Sequence, residues 1–107
     1  MTATEKAEHA KQVAEEILRQ IGWEQLASMG AREKYHFSEP HPGVQFRCGP
    51  ARPHCKVRIM LEPSDTYRVQ LVKVKGVEAV TVAELDDVYE DRLADILRDW
   101  EGEHLVS

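Results

Sequence analysis

From Arg32 to Lys75 apolar residues recur at every second position, whereas toward both ends of the chain they recur at every third or fourth. Alternation marks a strand buried on one side, and three-and-four spacing marks an amphipathic helix. Between Glu5 and Ile21 the apolar stripe is Ala10, Val13, Ala14, Ile17, Leu18 and Ile21. Thr2 with Glu5 three residues on fits a capping box at its start, and Gly22 fits its stop. A short helical turn is expected over Trp23, Leu26 and Ala27, ended by Gly30. The closing element reads as an acidic amphipathic helix from Glu84 to Glu103, capped by Asp87 with Glu90 three residues later and stopped at Gly102. Its apolar face is Tyr89, Leu93, Ile96, Leu97 and Trp100, while Asp91, Asp95 and Asp99 stack one turn apart on another face.

The middle of the chain predicts strands. Tyr35 and Phe37 alternate with Lys34 and His36; Val44, Phe46 and Cys48 with Gln45 and Arg47; Cys55, Val57, Ile59 and Leu61 with Lys56, Arg58 and Met60. Breaks fall at Ser38–Gly43, Gly49–Pro53 and Glu62–Asp65, each rich in turn formers, and such short connections imply antiparallel neighbours. Tyr67, Val69 and Leu71 open a fourth strand whose period then shifts to Val72 and Val74, which predicts a bulge or strong twist near Leu71. Val80 and Val82 suggest a short fifth strand.

Strands in a run with helices at either end indicate α+β: one domain over residues 1–107, with an antiparallel sheet of four to five strands and an N-terminal and a C-terminal helix packed on one face. The other face would then carry Lys34, His36, Gln45, Arg47, Lys56, Arg58, Met60, Arg68 and Gln70. On the same parity Tyr35, Phe37, Phe46 and Tyr67 belong to the core, which leaves the outer face without an aromatic platform.

Charge sharpens this division. The net charge of −5 conceals a basic block from Arg32 to Lys75 and a strongly acidic one from Glu84 to Ser107. The basic face, carried by Lys34, Arg47, Lys56, Arg58 and Arg68, is the candidate surface for a macromolecule; the acidic stripe of Asp91, Asp95 and Asp99 is either a solvated face or one that meets a basic partner, as a phosphate mimic would. Open sheets that bind RNA stack bases on aromatics, so the expected burial of the aromatics places nucleic acid second to a protein partner.

Metal and catalytic readings find less. Cys48 and Cys55 lie near His54, His41 and His36, but the spacings are not those of a zinc site, and the two thiols are expected opposite each other in a hairpin as small buried groups. No phosphate loop, metalloprotease motif or nucleophile elbow is present, so the expectation is a non-enzymatic protein with neither metal nor cofactor. The first ten residues hold no apolar leader and the longest apolar run is Ile59–Leu61, which predicts a soluble cytoplasmic protein with reduced cysteines and no membrane segment. A dimer through an edge strand, or through Trp100 and Leu105, is compatible with the pattern, but nothing in it requires one.

Several segments together resemble a family of small proteins encoded by bacteriophages, prophages and related mobile elements. They are Glu16-Ile-Leu-Arg-Gln-Ile-Gly22, Leu26-Ala-Ser-Met-Gly-Ala-Arg32, Val57-Arg-Ile-Met-Leu61 running into Asp65-Thr-Tyr-Arg-Val69, Gly76, and Val88-Tyr-Glu-Asp-Arg-Leu93. Trp23 stands where the family favours a second glycine, Ser28 departs from its Met-Thr pair, and the Cys48–Cys55 loop has no counterpart. The resemblance implies a phage-associated protein of undefined role, in the cytoplasm of the host cell, and contributes no catalytic residue. By class it suggests a protein that binds a host or phage macromolecule, for instance an inhibitor of host defence of the anti-CRISPR kind.

Overall fold

The structure is a computed structural model that describes residues 2–49 and 54–105. Most of the turn expected at 49–53, and the last two residues of the tail, lie outside the described residues. In chain order the elements are α1 (Ala3–Ile21), α2 (Trp23–Ser28), β1 (Arg32–Phe37), β2 (Gly43–Cys48), β3 (His54–Leu61), β4 (Tyr67–Lys75), β5 (Glu78–Val88) and α3 (Leu93–Trp100). A 3-10 turn over Glu90–Arg92 leads into α3, and a π-helical turn over Glu101–Leu105 leaves it. The strands form an antiparallel meander in the order β1-β2-β3-β4-β5, so this is an α+β domain with the predicted architecture.

Local chemistry explains the best-defined elements. Thr2 accepts the Glu5 amide and so satisfies one of the unpaired donors at the start of α1; Gly22, at φ +87°, turns the chain out of the helix while its own amide bonds Leu18. The α1 stripe of Ala10, Val13, Ala14, Ile17 and Ile21 is buried, as are Leu93, Ile96, Leu97 and Trp100 of α3. Beneath them the sheet contributes Val44, Phe46, Cys48, Cys55, Val57, Ile59, Val69 and Leu71. Phe46, Val57 and Leu71 lie in one cross-strand row and Val44, Ile59 and Val69 in the next, all fully buried. Each such aliphatic or aromatic side chain stabilises the fold by about 1.5–3 kcal/mol. Trp100 is thereby committed to the core, and Leu105 packs against it. No helix of the described residues is long and apolar enough to cross a membrane.

Three expectations need correction. In β1, Arg32 pairs with Arg47 but Tyr35 pairs with Gln45, so one extra residue is inserted, with Glu33 at φ +53°. A one-residue bulge reverses the facing of everything that follows it. Tyr35 and Phe37 therefore turn to the open face instead of the core, and Tyr35 is 52% exposed, while His36 stands opposite the core residue Val44.

The fifth strand, in turn, is the longest, at 11 residues, and includes Glu84–Val88, where the sequence pattern predicts the start of the acidic helix. Asp87, the expected cap, sits at φ +54° in a second irregularity, between the Tyr67 and Val69 pairings; the helical region begins only after Tyr89, with no side-chain cap. Third, the irregularity near Leu71 is real but its extra residue is on β5: Leu71 pairs with Ala83 and Val72 with Thr81, leaving Val82 over. Strand β4 itself stays in register. Its apolar alternation changes side because Val72 lies half-buried in a depression of the open face, next to a hairpin tip where every residue from Lys75 through Thr81 is exposed and neither face imposes a pattern.

Candidate docking face

With both helices on one side, the other side of the sheet lies open, and its side chains stand in rows fixed by the strand register. One row runs Tyr35, Gln45, Arg58, Gln70 and Glu84; a second runs Arg47, Lys56, Val72 and Thr81; a third runs Phe37, Gly43, Met60 and Arg68. Gly43 is required here, because a Cβ would collide with the Ile59 carbonyl and would lie 2.9 Å from Cζ of Phe37. The Phe37 ring occupies the room so left, and the Arg58 guanidinium carbon stands 4.3 Å from the ring centroid. At that distance the ring quadrupole attracts the cation and holds a long side chain in place.

The charges on this face divide into two sets. Arg47 Nε meets Glu33 Oε2 at 2.7 Å. Arg68 Nε lies 2.7 Å from Glu62 Oε1 and 3.1 Å from Asp86 Oδ1, with Glu84 3.7 Å from Nη1. Its hydrogen bond with Glu62, reinforced by the charge of Asp86, raises the guanidinium's proton affinity above its ordinary value. Lys56 and Arg58, between these two clusters, have no carboxylate within 4.0 Å among the described residues. They line a shallow depression of about 440 Å³ together with Pro40, Gln45, Met60, Gln70, Val72, Ala79 and Thr81. Its lining holds two cations, two amides and no carboxylate. Met60, although on the open side, is only 7% exposed and gives the depression an apolar floor.

Four of the five basic residues expected on this face are gathered on it: Arg47, Lys56, Arg58 and Arg68. The bulge sends Lys34 elsewhere, into a groove at the sheet edge lined by Lys11, Ala14, Glu15 and Leu18 of α1 and by His36. The sequence reading also missed the acids Glu33, Glu62, Glu84 and Asp86 beside those arginines, and the aromatic pair Tyr35 and Phe37. With Glu84 and Asp86 assigned to a helix, their place beside Arg68 had no signal in the sequence.

Away from the open face, Asp91, Asp95 and Asp99 are exposed, as their spacing predicts, and Asp95 is 3.3 Å from Arg98 on its own helix. Glu101 ties the end of α3 to α2, accepting hydrogen bonds from Gln25 at 3.1 Å and Ser28 at 2.8 Å. Beside them Trp23, 76% exposed, borders a groove between the α1–α2 turn and α3. Cys48 and Cys55 are opposite each other across β2 and β3, both reduced and both buried. Burial pushes the Cys48 thiol up to about 12, with a further push from Cys55, and burial raises Cys55 as well. Both are therefore protonated at neutral pH, and a protonated thiol is a poor nucleophile and a poor metal ligand. Among the described residues no three His, Cys, Asp or Glu side chains converge as a metal site would require.

Compared with models of protein families, with curated proteins and with solved structures, the chain matches none.

Proposed function

We propose that this chain is a non-enzymatic binding protein that docks a protein partner on the open face of its sheet. The observation that carries the reading is the acid-free depression, in which Lys56 and Arg58 stand without carboxylate partners and Arg58 is held over Phe37. Tyrosine, arginine and methionine are the residue types that concentrate at the centres of protein interfaces, and here Tyr35, Arg58 and Met60 share one surface. The resemblance to phage and prophage proteins supports an accessory role in a mobile element, with inhibition of a host defence complex as the form that its class suggests.

A second reading has its own observation. Tyr35 and Phe37 lie on the open side, where an aromatic can stack on a base, and that favours single-stranded nucleic acid. Opposing it, Glu33, Glu62, Glu84 and Asp86 offset the basic residues around the depression, and the chain carries a net charge of −5.

Affinity capture from a bacterial extract separates these, using the wild type, the Lys56→Glu/Arg58→Glu pair, and Trp23→Ala on the helical side as control. Protein partners should be lost with the double substitution and kept with Trp23→Ala, and gel shifts with single-stranded DNA and RNA at moderate salt should be blank. A shift that fades when Arg47, Lys56, Arg58 and Arg68 are neutralised would instead establish the nucleic-acid reading. Identical capture by the wild type and the double variant would remove both.

A further inference from the structure

The order of charges across the sheet constrains what the depression can hold. From the β1 edge to the β5 edge the open face runs from Glu33 with Arg47, through Lys56 and Arg58, to Arg68 with Glu84 and Asp86. The centre is positive and unpaired, and each outer edge carries carboxylate. Neighbouring strands lie about 4.8 Å apart, so Glu84 on β5 and Glu33 on β1 each stand about 10 Å from the β3 cations. Glu33 is balanced by Arg47, whereas Glu62, Glu84 and Asp86 outnumber Arg68, so a long polyanion laid across the depression would meet repulsion at the β5 edge and no net attraction at the β1 edge. A segment with an acidic centre and a cation toward β5 would find complementary charge at both places.

We infer that the depression takes a carboxylate-bearing segment of a protein partner, flanked by a cationic residue about 10 Å away toward β5, with an apolar side chain over Met60 and Val72. The inference rests on the docking reading and specifies its partner. An extended peptide rises about 3.3 Å per residue, so the flanking cation belongs three residues from the central acid.

Fluorescence anisotropy with four defined probes tests this. The first is a short peptide with a central Asp-Glu pair and lysines three residues to either side; the second keeps the acidic centre and places glutamates at the flanks. The third reverses the first, with a basic centre and acidic flanks, and the fourth is a short oligothymidylate. The first should bind best, about tenfold tighter than the second, since an ion pair at the acidic β5 edge becomes a repulsion whichever way the peptide lies. Glu84→Lys with Asp86→Lys should narrow or invert that ratio, and Arg98→Glu on the helical side should leave it unchanged. Lys56→Glu with Arg58→Glu should weaken the first probe at least tenfold, and the milder pair Lys56→Gln and Arg58→Gln should act in the same direction.

If the uniformly acidic peptide or the oligonucleotide binds best and is lost with Lys56→Glu/Arg58→Glu, the docking face stands and this inference falls. If the first probe binds equally well to that double variant, the docking reading itself falls. Failure of all four probes to bind at about 1 mM, an affinity weaker than about −4 kcal/mol, also overturns the inference.

Discussion

Gly43→Ala is the substitution that most directly couples the fold to the face. The added methyl would meet the Ile59 carbonyl, which the β2–β3 ladder holds in place, and would lie 2.9 Å from Cζ of Phe37, so ring and strand must both shift. Overpacking of this kind costs about 1–3 kcal/mol. Displacing Phe37 from beneath Arg58 removes about 0.5–1 kcal/mol more, the value of an exposed cation–π contact. The sum, about 1.5–4 kcal/mol, is a large share of the 5–15 kcal/mol that holds a typical domain together. It should lower the thermal midpoint by about 6 °C or more.

Urea unfolding should show a lower midpoint at unchanged slope. Two other glycines serve as controls. Gly76, at φ +61° with open space around it, should cost only about 1–2 kcal/mol of backbone strain as alanine. Gly102, with open space and no positive φ, should be neutral or slightly stabilised. If Gly43→Ala is no more destabilising than Gly102→Ala, the ring does not sit where the glycine makes room, and the seat proposed for Arg58 is wrong.

Phe46→Ala should cost about 3–5 kcal/mol, whereas Tyr35→Ala, facing solvent beyond the bulge, should cost less than about 0.5 kcal/mol; equal costs in thermal melts would restore the unbulged register. Cys48 keeps its proton in the folded state up to about pH 12, against an ordinary value of 9.0, so its contribution is complete below pH 9 and is lost between there and pH 12. In that window urea-derived stability should fall by about 1.4 kcal/mol per pH unit more in the wild type than in Cys48→Ala, and equal slopes would refute the burial argument. Glu101→Ala strands the buried amide of Gln25 and should cost about 1–3 kcal/mol by chemical denaturation, while Ser28→Ala, an exposed partner of the same carboxylate, should cost less than 0.5 kcal/mol.

The parts of the fold that were legible are those where one face is fully buried. Val44, Phe46 and Cys48 against Cys55, Val57 and Ile59 alternate without interruption, and the structure pairs them as that alternation requires, Cys48 opposite Cys55 included. Helix α1 announced its cap at Thr2 and its stop at Gly22 because both ends rest on side-chain chemistry specific to those residues.

The β1 register was not legible, because the residue that breaks it, Glu33, takes a positive φ that sequence patterns associate with glycine or asparagine. Nor was the end of β5. Glu84-Leu-Asp-Asp-Val88 is poor in strand formers and has acids where a helix N-terminus favours them, so local propensity pointed to helix while pairing with β4 decided for strand. Both errors fell on edge strands, where half the hydrogen-bonding partners are missing and tertiary pairing is least visible in the sequence. They also determined what was missed about the site, since Tyr35, Phe37, Glu84 and Asp86 all reached the open face through them.

The same irregularities bear on how a partner can approach. Ladders β2–β3 and β3–β4 run without a break, whereas both outer ladders shift register: at Glu33 and Lys34 in β1, and at Val82 and again between Leu85 and Val88 in β5. Strand addition requires a run of evenly spaced, unpaired amides and carbonyls, and a bulge interrupts that run and twists the edge away. Between its shifts β5 offers only Glu78–Thr81 and Ala83–Leu85 as regular edge, and β1 only Tyr35–Phe37. A partner recruited by extending the sheet would have to pair across those breaks. One seated on the face meets side chains set by the regular central strands, among them Lys56 and Arg58 of β3, so the irregular edges and the regular centre both favour the face over the edges for the docking proposed above.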